Sequence, residues 1–116
     1  MPETVEDFEA RPLTERERAV LDRLLSVLPP NRRRRADDIR VSGKCGCGCP
    51  SICFAHQEKG QGIELVAVAT IEGTHDSVLL FVSASGMLDS MEYIWLGDEP
   101  PIEFPSADQV VPSART

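Results

Sequence analysis

The dipeptide Pro29-Pro30 divides this chain into two stretches that follow different periods, and no regular element can run through it. A proline ring lacks a backbone donor and pushes the residue before it out of the helical region. Ahead of the break, Val20, Leu21, Leu24, Leu25 and Leu28 form one apolar stripe at helical spacing, while Glu15, Arg16, Arg18, Asp22 and Arg23 fall mostly elsewhere. Thr14 followed by Glu17 is a capping-box pattern, so an amphipathic helix is predicted to start there and to stop before Pro29. Residues 1–12 are acidic, carry Pro2 and Pro12, and offer only Val5 and Phe8 as large apolar residues, which reads as a flexible arm.

Behind the break, residues 31–38 are polar and include Arg32, Arg33, Arg34 and Arg35. That run has no interleaved aromatics and is followed at once by Asp37 and Asp38, which fits a solvated turn or short polar helix, with Asn31 as its cap; an anion- or partner-binding patch is the alternative. From Ile39 the period becomes two. Ile39 and Val41 open a first strand that the cysteine stretch extends, and residues 51–56 form a short second one with Ile52 and Phe54 on one face. In the third, Ile63, Leu65, Ala67, Ala69 and Ile71 share a face and Val66 and Val68 the other, which suggests a central position. Residues 78–82 make another central strand, and residues 88–96 a last one. Turns fall at residues 58–62, 72–76 and 83–86. Residues 98–105 hold too many prolines for a ladder and should run extended, with Ile102 and Phe104 as anchors. The expected fold is α+β: an N-terminal amphipathic helix packed on a four- to five-stranded antiparallel meander, with an irregular Pro-rich C-terminal segment. Residues 13–105 are expected to form a single domain between the arm and a flexible tail over 106–116.

At 116 residues, with 41% apolar and 27% charged residues, the chain suits one modest globular core. The net charge of −7 is unevenly spread: residues 1–44 hold ten Lys or Arg against nine Asp or Glu, and residues 45–116 hold two against ten. Such an acidic half repels phosphate backbones, so no nucleic-acid partner is expected. No apolar run approaches the ~20 residues of a membrane span, and no basic region leads into an apolar one at the start. A cytoplasmic protein without a membrane role is therefore expected.

All four cysteines lie within Cys45-Gly46-Cys47-Gly48-Cys49-Pro50-Ser51-Ile52-Cys53. In a reducing compartment, clustered thiols serve as metal ligands, as redox groups or as buried apolar residues more often than as structural disulfides. Gly46 and Gly48 let the segment curl and bring Cys45, Cys47 and Cys49 towards one point. Cys53, or His56 as a nitrogen donor, would complete a tetrahedral set for zinc, and soft copper(I) would suit the same thiolates. Three other readings stay open: reduced cysteines filling a tight turn, a disulfide from Cys53 to Cys45 or Cys47, and thiol-redox chemistry.

Other candidates carry less chemistry. His56 and His75 are isolated and sit in or beside turns. Met91, Tyr93 and Trp95 form a stripe at strand spacing, which packs into a core or, through Tyr93 and Trp95, binds a protein partner. Glu92, Asp98, Glu99 and Glu103 read as a solvated rim. No phosphate loop, dinucleotide fingerprint or His-Glu zinc motif is present, and no catalytic or cofactor-binding residue is assigned. The expectation is a non-enzymatic protein-binding or accessory module, with a thiolate metal or thiol-redox protein as the alternative.

Leu13-Thr14-x-Arg16-Glu17-Arg18-Ala19-Val20-Leu21, Val41-x-Gly43-x-Cys45-Gly46-Cys47-Gly48-Cys49-Pro50-Ser51-Ile52, Met91-Glu92-Tyr93-Ile94-Trp95, Asp98-x-Pro100-Pro101 and Phe104-Pro105 together carry a resemblance. The chain resembles small uncharacterised single-domain proteins of high-GC Gram-positive bacteria over roughly residues 13–106. That resemblance implies a stand-alone domain and supplies no catalytic residues.

Overall fold

A computed structural model describes residues 5–29, 39–45, 49–55, 63–84, 86–99 and 101–114; the side chains of residues 5–8 and of Cys45 are outside that description. The elements run β1 (Val5–Pro12), α1 (Glu15–Leu25), β2 (Arg40–Cys45), β3 (Ile52–Phe54), β4 (Ile63–Ile71), β5 (Ser77–Ser83), β6 (Leu88–Ile94), a 3-10 turn (Ala107–Gln109) and β7 (Val110–Ala114). The strands form one sheet in the order β1-β2-β3-β6-β5-β4-β7, and its pairings are antiparallel.

The class is α+β as expected, with two corrections. The sheet has seven strands rather than four or five, and the helix is not the first element, because β1 precedes it. Segments 1–12 and 106–116, expected as an arm and a tail, supply the two edge strands: Val5 to Pro12 pairs with Cys45 to Arg40, and Val110 to Ala114 pairs with Ile71 to Ala67. An edge strand is hydrogen-bonded on one side only, so it tolerates charges and proline that a central strand would not. Pro12 and Pro112 sit in these two edges for that reason. Nor is the order a plain meander, since β3 pairs with β6 and leaves β4 to lie between β5 and β7.

Helix α1 begins as the capping box requires. The Glu17 amide donates to Thr14 Oγ1 at 3.1 Å, and the Thr14 amide donates to Glu17 Oε1 at 2.9 Å. The last helical residue is Leu25; Leu28 caps a following turn, its amide donating to the Leu25 carbonyl at 3.0 Å. Val20, Leu21, Leu24, Leu25 and Leu28 all enter one core with Val41, Ile52, Phe54, Ala67, Ala69, Ile71, Val78, Leu80, Val82, Met91, Tyr93, Phe104 and Val110. The helix packs on β4, β7 and the 3-10 turn, so it covers one face of the sheet towards the β7 edge.

Within β4 the strict alternation fails. Register shifts between Leu65 and Ala67, so Val66 is an extra residue and is buried beside Ala67. The β4–β5 turn uses Gly73 at a φ of 82°, a left-handed conformation that a side chain would strain. No helix among the described residues is long and apolar enough to cross a membrane.

Candidate functional site

Three segments distant in sequence meet around a groove of about 790 Å³. One wall is the start of α1 with Arg11 before it; the second is the β2–β3 connection, through Lys44, Cys49, Pro50 and Ile52; the third is residues 102–107. Each is anchored locally. Phe104 is buried and packs its ring 6.2 Å from that of Tyr93, which pins the Pro-rich segment to the sheet. Arg16 then ties the helix to that segment, donating to the Phe104 carbonyl at 3.3 Å and pairing with Glu103 at 3.6 Å.

The second wall is held through Ser51. Its hydroxyl oxygen accepts from the Tyr93 amide at 2.8 Å and from the Cys49 thiol at 3.4 Å, so a side chain extends the β3–β6 ladder beyond the last backbone pair. Cys49 is 5% exposed. Arg11 forks onto Glu17 at 2.8 and 3.0 Å within the first wall of the groove. Burial acts to raise the Glu17 pKa, but the hydrogen bonds from Arg11 and Thr14 outweigh it and hold the carboxyl below its usual range. The same pair raises the Arg11 pKa.

Charges around the groove balance: Arg11, Arg16 and Lys44 face Glu15, Glu17 and Glu103. The first turn of α1 is already capped by Thr14 and Glu17, so the groove is not built to attract a bare anion. Cys49, Pro50, Ile52, Ala19 and Phe104 add apolar surface to its lining. Ile102 stands at the rim, 92% exposed, which corrects the expectation that it anchors as Phe104 does.

The predicted metal ligands are divided. Cys49 lines the groove, whereas Cys53 lies between Ile52 and Phe54 on β3; these two are core residues, so alternation turns Cys53 to the opposite face, beside Ser90. Cys45 ends β2 with its backbone opposite Val5. Cys47, His56 and the Cys45 side chain lie outside the description. Among the described residues no three His, Cys, Asp or Glu side chains are grouped to hold a metal ion.

The Tyr93–Trp95 stripe belongs to the core. Tyr93 is buried and donates from its hydroxyl to Asp76 Oδ2 at 2.7 Å, and Trp95 is half-buried against the core cluster. Burial, then the Asp76 bond, raise the Tyr93 pKa well above its usual value. Asp76 also accepts from the Leu96 amide at 3.2 Å, so it ends β6 and redirects the chain. His75, Asp98, Glu99 and Glu103 are exposed, as their turn and rim positions suggest. Sequence reasoning located the groove's parts but not their meeting: the capping box marks one wall and Cys49-Pro50 another, while nothing in either names the other. The chain matches no protein-family model, no curated protein and no solved structure.

Proposed function

We propose that this chain is a non-enzymatic protein-binding module whose groove between α1, the β2–β3 connection and residues 102–107 receives an extended segment of a protein partner. One observation carries the reading: an open groove whose lining mixes balanced charges with apolar side chains includes the most exposed large apolar side chain of the described residues, Ile102. Alternating charge and apolar surface suits a peptide better than a phosphate or a nucleic acid. The resemblance to small single-domain proteins of high-GC Gram-positive bacteria and a cytoplasmic setting belong to the same reading.

The test is hydrogen exchange on the protein with and without a partner isolated on it. Protection confined to residues 15–19, 49–52 and 102–107, together with loss of binding in Ile102→Asp and Lys44→Glu at unchanged melting temperature, supports the groove. Protection elsewhere, or binding that survives both substitutions, removes it.

A second reading keeps the thiolates as a zinc or copper(I) site. The observation in its favour is that Lys44 pairs with Ile52, which brings close together the two ends of the sequence segment that carries Cys45, Cys47 and Cys49. Cys53 faces away, so these three thiolates with His56 or a water would form the set. Native mass spectrometry of protein grown with added zinc should show one bound ion that is lost in Cys47→Ser and kept in Cys53→Ser; a metal-free mass excludes it.

A further inference from the structure

Cys53 is not part of the groove's lining. It stands opposite Ser90 of β6 in the β3–β6 ladder, on the face turned away from Ile52, Phe54 and Met91. On its other side, β2 sets Gly43 opposite it, which contributes no side chain at that position. Cys53 is partly exposed, whereas Ser90 is 2% exposed and its Oγ is buried without a hydrogen-bond partner. Ser42, the extra residue of the bulge beside Gly43, has a second buried hydroxyl in the same condition.

A buried hydroxyl without a partner has given up its bonds to water and received nothing in exchange, so it calls for a physical account. Directly opposed residues of antiparallel strands hold their Cβ atoms about 4.5–5.5 Å apart. The Cys53 sulfur and the Ser90 hydroxyl are therefore neighbours that do not bond in the thiol form. An oxygen atom added to that sulfur would be an acceptor within reach of the idle donor.

We propose that Cys53 is a modification site at which a hydroperoxide leaves a sulfenic acid, and that Ser90 holds this product by donating to its oxygen. In the step, the Cys53 thiolate attacks the distal oxygen of the hydroperoxide: an S–O bond forms, the O–O bond breaks, and sulfur is oxidised by two electrons. The released hydroxide or alkoxide takes up the proton that the thiol gave up and leaves as water or alcohol. Two small thiols reverse the change, the first displacing the oxygen as water in a mixed disulfide and the second freeing the Cys53 thiol. Arg40 and Glu92 are charged neighbours of opposite sign on the same face, so the site acts by keeping the product and not by hastening its formation. A hydrogen bond to the sulfenic oxygen draws electron density from the sulfur, which slows the second oxidation to the irreversible sulfinic acid. The site is separate from the groove and does not depend on a peptide filling it.

Oxidation of the reduced full chain by hydrogen peroxide, with dimedone trapping and peptide mass spectrometry, tests the proposal. Cys53 is expected to carry the dimedone adduct before the buried Cys49 does. Ser90→Ala should speed its further oxidation to sulfinic acid about three- to tenfold, the factor that one net hydrogen bond supplies. Ser90→Thr, which keeps the hydroxyl, should restore the parent rate; if it fails to fold, Ser90→Ala against the parent decides. Reduced Ser90→Ala should melt at the parent temperature or above, because it loses an unpartnered hydroxyl. A lower melting temperature would show that Ser90 is bonded in the thiol form, and it overturns the proposal. Equal sulfinic-acid rates in parent and Ser90→Ala overturn it too, as do oxidation confined to the other three cysteines and a disulfide from Cys53 in place of the sulfenic acid.

Discussion

Glu17 joins three parts of the molecule with one carboxylate: it closes the capping box of α1, takes both arms of Arg11 at the end of β1, and borders the groove. Replacing it with Gln removes the charge-assisted fork and weakens the cap, a cost of about 1–2 kcal/mol at neutral pH. Because the folded-state pKa is depressed, the contribution is present above the ordinary value of about 4.3 and fades as pH falls through the lower folded value. Urea unfolding of parent and Glu17→Gln should therefore diverge at pH 7 and converge in acid. Divergence that persists at acid pH would show that the carboxylate's charge is not the cause.

Tyr93 offers a second probe at this scale, since it is the only tyrosine. Its phenolate absorbance should develop above the usual value of about 10, and Asp76→Asn should bring the transition back down by removing the nearby charge. A transition at the ordinary value in the folded parent would dismiss the Asp76 bond. Much at residue scale was legible beforehand. Thr14 and Glu17 announced the helix start because capping is a local exchange of hydrogen bonds between residues three apart. For Tyr93 the sequence leaves two readings open, core or partner-binding, because strand periodicity shows that Met91, Tyr93 and Trp95 share a face without showing which face meets the core.

Among the elements, β7 departs furthest from its sequence appearance. Val110 is fully buried against the helix side, whereas Val111 next to it is half-exposed on the opposite face. Val110→Asp should cost about 3 kcal/mol or more, since it puts an unpaired charge in the core, while Val111→Asp should stay within about 0.5 kcal/mol in dilute solution. Equal, small effects in thermal unfolding would return residues 106–116 to a tail. The sequence of this segment hides its strand, because Pro112 and Ser113 oppose a central position while β4 needs only an edge partner. The acidic start hides β1 in the same way. Charge and proline exclude a strand from the middle of a sheet and leave its rim open.

At the scale of the whole molecule, acidity concentrates in the half of the chain that supplies β3 to β7. Residues 45–116 hold ten acids against two bases, while the helix and its flanks carry both signs. Self-repulsion in that half should make the fold more stable from low to about 0.5 M salt, by up to a few degrees in melting temperature. A melting temperature that falls with salt would mean that the attractive pairs, Arg11–Glu17 and Arg16–Glu103, outweigh the repulsion. The groove stands apart from that acidic half, since its lining sets Arg11, Arg16 and Lys44 beside Glu15, Glu17 and Glu103.

By itself the sequence determined the helix and its start, the break at Pro29-Pro30, the positions of the central strands and the α+β class, because each depends on contacts or steric limits within a few residues. Tertiary structure alone decided that β3 pairs with β6, that Val5–Pro12 and Val110–Ala114 become edge strands, that Cys49 lines the groove while Cys53 turns from the core face of β3, and that three remote segments enclose a groove. Those outcomes depend on which strand edges meet. Backbone hydrogen bonds are the same for every residue, so pairing is selected by the burial of whole faces, a quantity that exists only once the sheet has formed.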